Sequence, residues 1–382
     1  MIKIGIRNNL FYPLMLVITT SIRKIDSILM IKVNNFDASL FFTFIMFLGE
    51  FIFGLILFLS NKRFLKSIKD PKENAIRNQR FLGIKFEKQK LKIPDNLIKI
   101  YFIIFMAAFF DFNVFSLQTY YLPRYYKSVS ISLTERLRSA LTICSAILCY
   151  FLFRMPIYKH QKFSLIIISI CLIIIVITEY IYEKLQHLNL ALLFNFSLYF
   201  FNSCLDVSEK YLLEYNYINP FNLLMYEGIF GLIITSIFSI YINPFKEVKE
   251  VFVQEENELK LYLLIFFLLV YFLSSGGRNI YRILTNELYS PMTRTLTDCI
   301  LDPILLIFYF LFEEDFKSEE KQNILFFISN IIASFLIVFC SCVYNELFVL
   351  FCCNLEYDTY HQISIRASMI EKELNNVADI IN

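Results

Sequence analysis

Apolar residues in this chain fall in long unbroken runs. Leu165–Thr178 and Leu261–Leu273 contain no charged residue. A helix needs about 20 such residues to cross a hydrocarbon core. Runs of that length predict ten helices, near 8–32, 36–60, 97–121, 128–152, 162–181, 188–214, 220–243, 258–283, 290–312 and 322–345. Membrane β-strands would alternate apolar and polar positions over segments of roughly ten residues, and these runs do not. The first span is interrupted by Arg23, Lys24 and Asp26. A signal peptide is the competing reading there, but no small-x-small cleavage site follows, so a retained helix is expected.

Composition narrows the class. The 382 residues are 57% hydrophobic and 18% charged, with a mean hydropathy of +0.56; a soluble domain would be about one quarter charged. Seven of the nine cysteines lie in apolar spans, where Cys acts as a small hydrophobe. No Cys or His spacing resembles a zinc site, so no metal and no cofactor is expected. Cys352–Cys353 follows the last span as an interfacial pair or an S-acylation site. Tryptophan is absent, which leaves 24 Tyr to supply the interfacial belt. The sequon at Asn195 falls inside a span and should be unused.

Residues 61–96 hold eleven Lys or Arg against four acids, whereas 313–321 are mostly acidic. Positive-inside logic places 61–96 in the cytosol, and ten spans then put both termini there. The tail, 346–382, begins apolar along the membrane surface and continues into a weak helical period over 364–382. Tyr360-His-Gln-Ile363 has the form of an endolysosomal sorting signal. An organelle membrane (Golgi, ER or endolysosome/vacuole) is expected over the plasma membrane.

Glu-x-Ile-Phe-Gly-Leu-Ile occurs at 50–56 and again at 227–233. A second match relates 134–153 to 293–312; Thr134/Thr293 and Leu137/Leu296 coincide and both segments close on Tyr-Phe-Leu-Phe. Each match is shifted by five predicted helices. A five-helix unit duplicated once must insert its second copy upside down, because five is odd. The expected fold is an all-α membrane protein with ten transmembrane helices in two inverted repeats, 1–182 and 183–345, followed by a cytosolic tail.

Four segments carry a family likeness: Met46-Phe-Leu-Gly-Glu50, Glu135-Arg-Leu-Arg138, Tyr226-Glu-Gly-Ile-Phe-Gly231 and Thr293-Arg-Thr-Leu-Thr-Asp298. With Val343-Tyr-Asn345 closing the last helix, the chain resembles the drug/metabolite transporter superfamily, and within it solute carrier family 35, the F-type, EamA-like branch. The likeness covers residues 8–345 and implies ten helices in two inverted repeats. Arg294 stands near where nucleotide-sugar carriers of the wider family have a Lys-Thr pair, which argues against a nucleotide-sugar substrate.

The spans enclose Glu50, Asp111, Arg138, Asp206, Glu209, Lys210, Glu227, Arg278, Arg294, Asp298 and Asp302. Each would cost on the order of 3 kcal/mol facing lipid at mid-membrane, so they face a wet cavity or one another. Arg294–Asp298 and Asp206–Lys210 are i,i+4 neighbours and could pair internally. Glu50 and Glu227 have no basic residue within a turn on their own helices, and Gly54 and Gly231 follow four residues later on the same face. These carboxylates either handle protons or substrate, or latch a broken helix end. Arg138 and Arg294 offer planar forks to a carboxylate or phosphate, which points to an anionic or zwitterionic metabolite. Pro303 after Asp302 should bend the ninth span, as a gate or as an ordinary kink. Asn195, Tyr199, Asn202 and Gln118 could add neutral contacts. Gly276-Gly277 lacks the Lys-Ser/Thr ending of a phosphate loop and instead allows bending or tight packing.

The leading expectation is a secondary transporter for a small organic solute, working by alternating access with proton coupling or exchange. A non-transporting scaffold or receptor and a carrier of a cationic amine are the alternatives. Gly-x-Ser-x-Gly, His-Glu-x-x-His and Gly-x-Gly-Asp arrangements are missing, so an enzyme is not expected. Expected partners are the solute, the bilayer and protons, with a homodimer allowed and no nucleic acid.

Overall fold

Within the described helices many charged side chains face inward while rows of isoleucine face outward. In the computed structural model Arg282, Arg294, Lys210, Glu50, Asp206, Glu209 and Glu227 are all buried, while Ile166, Ile170, Ile173 and Ile177 lie exposed along one helix face. Water would select the reverse arrangement; lipid selects this one. The structure describes residues 2–4, 11–34, 39–60, 95–117, 137–154, 157–182, 188–216, 218–241, 248, 258–288, 291, 294–295, 299–301, 324–357, 359, 362 and 366.

Nine α-helices run through the described residues: α1 (Phe11–Asn34), α2 (Ser39–Ser60), α3 (Leu97–Ser116), α4 (Ala140–Phe153), α5 (Lys159–Tyr182), α6 (Leu188–Tyr215), α7 (Pro220–Tyr241), α8 (Glu258–Leu288) and α9 (Ile324–Tyr344). Five stretches are long and apolar enough to cross a membrane: Leu40–Ser60, Leu97–Ser116, Lys159–Thr178, Pro220–Ile240 and Leu259–Glu287. The chain is thus a helical protein of membrane-embedded character. α1 and α6 are more charged, but Arg23, Lys24 and Asp26 on α1 and Asp206, Glu209 and Lys210 on α6 are all turned inward. The eighth span, expected to stop at 283, continues as helix to Leu288. Within 128–152, helix is described only from a 3-10 turn at Leu137–Ser139 onward. The basic loop 61–94, most of 290–312 and nearly all of 364–382 lie outside the described residues.

Small residues set the helix spacing. A Cβ on Gly228 would lie 2.4 Å from the Phe51 backbone nitrogen, and one on Gly54 would lie 2.7 Å from that of Met225. A Cβ on Gly231 would strike the Phe47 ring. Along α2 the contacts fall at 54, 51 and 47 as α7 rises through 225, 228 and 231, so the two helices cross antiparallel and backbone to backbone. Gly276 makes a second close approach, of α8 to α2: a Cβ on Gly49 would meet its backbone nitrogen at 3.4 Å.

Ring contacts fix the other directions. Tyr101–Tyr226, Phe105–Phe230 and Phe112–Phe238 run in step, so α3 and α7 are parallel. Phe42–Tyr271 and Phe53 against Gly276 make α2 and α8 parallel as well. Phe110–Phe201 and Tyr211–Asp95 make α3 and α6 antiparallel. Tyr12–Tyr281 and Thr19–Gly277 do the same for α1 and α8. α4 lies parallel to α6 through Ser145–Ser203 and Phe153–Tyr215. Ile168, Cys171 and Ile175 of α5 share a core with Ala333, Ile337 and Cys340 of α9.

The segment after the last helix carries a feature that the sequence did not announce. Within residues 346–353, β2 (Phe348–Leu350) pairs antiparallel with β1 (Ile2–Ile4). A turn sets this up. Glu346 adopts φ 59°, and Leu347 N–H donates to the Cys342 carbonyl at 2.9 Å, closing α9 in a Schellman motif and reversing the chain.

Two outcomes follow from the packing. Gly228→Ala should cost at least ~2–3 kcal/mol because backbone cannot yield as a side chain does; Gly277→Ala, whose Cβ meets a Thr19 methyl at 3.3 Å, should cost much less. Thermal unfolding in detergent, read by a thiol-reactive dye on the buried cysteines, will compare them. At the start of α3 the Tyr211 hydroxyl donates to Asp95 at 2.6 Å and Lys99 at 3.0 Å, holding that carboxyl below its usual range. A depressed carboxyl contributes stability that is complete above its unfolded value of about 3.9 and fades as pH falls below it. Hydrogen-exchange protection factors over residues 95–100, with the intrinsic pH dependence of exchange divided out, should be steady from about pH 8 to pH 5 and fall below about pH 4.

Candidate functional site: one guanidinium among four carboxylates

α8 carries a polar stripe at helical spacing. Ser275, Asn279, Arg282 and Asn286 follow one another at four, three and four residues, and all four are fully buried. Such a stripe survives in an apolar helix only if partners meet it. Arg282 meets four, one from each of four other helices.

Its Nη1 donates to Asp111 of α3 at 2.5 Å. Its Nη2 lies 2.9 Å from Glu209 of α6, 3.0 Å from Glu227 of α7 and 3.5 Å from Glu50 of α2. Asn286, a turn later on α8, donates Nδ2 to the second oxygen of Glu209 at 2.5 Å. The α2–α7 glycine crossing explains why Glu50 and Glu227 reach the same nitrogen: each lies within a turn of the closest backbone contact.

Hydrogen-bonding capacity is left over. Glu50 Oε2, Glu227 Oε1 and Arg282 Nε have no hydrogen-bond partner among the described residues, and neither do Asn279 Nδ2, Thr285 Oγ1 and Asn286 Oδ1 along the same face of α8. Buried groups of this kind are normally satisfied. Charge is unequal too, with four carboxylates in contact with one guanidinium. The next cations, Arg278 one turn earlier on α8 and Arg23 on α1, are buried on one flank. Arg278 Nη1 donates to Asn279 at 2.7 Å; Arg23 lies over the Phe115 ring at 5.3 Å and near Met46 Sδ at 4.0 Å.

On the other flank Lys210 ion-pairs with Glu214 at 2.6 Å and donates to the Asn286 and Glu287 carbonyls at 2.8 and 3.4 Å. It thereby caps the last turn of α8, where a cation suits the exposed carbonyls. The expected Asp206–Lys210 pairing is corrected here. Lys210 turns to Glu214 and α8, and Asp206 ion-pairs with Arg294, which also donates to Asn202 at 3.2 Å. Lys210 keeps an i,i+4 partner on α6, but it is Glu214, and its other donors reach the end of α8, while Asp206 finds its opposite charge, Arg294, outside its own helix.

Of the residues expected to form a site, Glu50, Glu227 and Asp111 are brought together on Arg282. Arg294 contacts Asp206 and Asn202 apart from that cluster, and Arg138 is buried in the turn before α4. Asp298, Asp302, Pro303 and Gln118 lie outside the described residues. Asn195 and Tyr199 are buried on α6. Arg282, the hub, lies inside the expected eighth span, 258–283, but is not among the site residues expected from the sequence. The available signal was the period Ser275–Asn279–Arg282–Asn286. Among the described residues no group of His, Cys, Asp and Glu is arranged to hold a metal ion.

Arg282→Gln should strand four buried carboxylates and cost about 3–5 kcal/mol. Adding Glu50→Gln should recover part of that loss, since it removes one of the stranded charges. Melting of the single and double variants in detergent measures both. No protein-family model matches the chain, and no curated protein matches it.

Proposed function

We propose that the chain is a secondary transporter of the drug/metabolite type, moving a small organic solute by alternating access between two inverted five-helix repeats. One observation carries this reading: helix contacts recur after a shift of five spans. α1–α8 has its counterpart in α3–α6, and both pairs are antiparallel. α3–α7 has its counterpart in α2–α8, both parallel. α4–α6 corresponds to the contact of Leu301, in the predicted ninth span, with Val17 and Ile28 of α1. The remaining major contacts, α2–α7 and α5–α9, join each helix to its own repeat mate.

Helix directions support the same reading, since each is the one that a regular alternation of ten crossings gives. The β1–β2 pairing agrees with an even number of crossings between its strands. Glu50 and Glu227, equivalent by the repeat, converge on one nitrogen, as residues beside a pseudo-two-fold axis would. A charged, incompletely hydrogen-bonded interior beside that axis is where a solute site belongs in such a fold.

Cysteine accessibility tests the mechanism. In a cysteine-free background in vesicles, Ser145→Cys and Ser203→Cys, whose hydroxyls touch at 3.1 Å inside the bundle, should react with a membrane-impermeant thiol reagent applied from either side. Locking α2 to α7 with a crosslink should abolish labelling from one side. Absence of reaction from both sides would remove alternating access and leave a scaffold.

A further inference from the structure

We propose that the Arg282 cluster is a binding site for small organic cations bearing N–H donors, such as protonated primary or secondary amines, in which Arg282 is the resident cation that the incoming ammonium displaces from Glu50 and Glu227. This rests on the transporter reading for its place in a transport cycle, but not for binding itself.

Acceptor surplus is the first argument. Glu50 Oε2 and Glu227 Oε1 are buried carboxylate oxygens without a hydrogen-bond partner among the described residues, on helices that touch backbone to backbone. An ammonium group with two or three N–H donors answers two such oxygens at once. An anion would meet four carboxylates. The contact lengths give the second argument. Arg282 is held at 2.5 Å by Asp111 and 2.9 Å by Glu209, but at 3.0 Å by Glu227 and 3.5 Å by Glu50. Moving Nη2 away from the two repeat-related glutamates leaves Asp111 and Glu209 in place, and Asn286 keeps Glu209 oriented. The guanidinium therefore has somewhere to stay while its other two partners change hands.

The third argument removes the competing reading. An anionic solute was expected from Arg138 and Arg294, but Arg294 is spent on Asp206 and Asn202. Charge balance adds exchange. Among the described residues the charged groups that act on the glutamate pair are Asp111 on α3, Glu209 on α6, and Arg278 and Arg282 on α8. Protons and ammonium groups compete for these carboxylates, so an ammonium that enters a protonated pair releases a proton to water, and each positive charge gained is matched by one lost.

Thermal-shift titration of the purified full chain in detergent tests the site, with spermidine and tyramine as donor-bearing cations, tetraethylammonium as a cation without N–H, and succinate as an anion. Spermidine and tyramine should raise the melting temperature saturably, with apparent affinity falling about tenfold from pH 8 to pH 6. Tetraethylammonium should act at least tenfold more weakly and succinate not at all. Glu50→Gln and Glu227→Gln should each weaken the amines tenfold or more and flatten the pH response. Stabilisation by succinate alone, or amine binding indifferent to pH in the unmutated chain, overturns the proposal whether or not the variants fold. Amine binding without counterflow of labelled tyramine in proteoliposomes keeps the site and sinks the carrier; counterflow of anions alone keeps the carrier and sinks the site.

Discussion

A guanidinium shared by four carboxylates is the constraint on which the rest of this structure depends. No single helix could hold it in an apolar surrounding, because each acid would be stranded by the movement of its neighbours. α2, α3, α6, α7 and α8 are therefore tied to one point, and their mutual placement follows from satisfying Arg282. Desolvating several charges is unfavourable, and their attraction to one another offsets that loss only at contact distance. The arrangement specifies one packing rather than maximising stability.

Contact distance in turn requires the glycines. Gly54 and Gly228 let α2 and α7 approach until backbone meets backbone, and that approach brings Glu50 and Glu227 to the same nitrogen. Packing and electrostatics are thus one design at this crossing. A side chain at Gly228 would act on the charge cluster without touching it, by widening the gap the carboxylates must span.

The apolar runs were legible because lipid imposes a simple length rule, and most described helices begin and end near the expected limits. The Glu–Gly spacing on α2 and α7 was equally readable, since both the carboxylate and the close approach recur at the same offset. Arg282 was harder. Its partners lie on four other helices, and nothing on its own helix balances it, so pairing rules confined to one helix pass it by. Lys210 does follow an i,i+4 rule, but with Glu214 in place of Asp206, which meets Arg294 from outside α6. The β1–β2 pairing was invisible because strand partners separated by nearly the whole chain leave no local pattern.

That pairing has a consequence for biogenesis. β1 is synthesised ahead of α1 and β2 after α9, so the small sheet forms only when the nine helices described between them have been made. Until then β1 carries unpaired backbone groups that water must satisfy. Closure of the sheet is therefore a late event, which ties the strand ahead of α1 to the strand behind α9 once everything between them is in place.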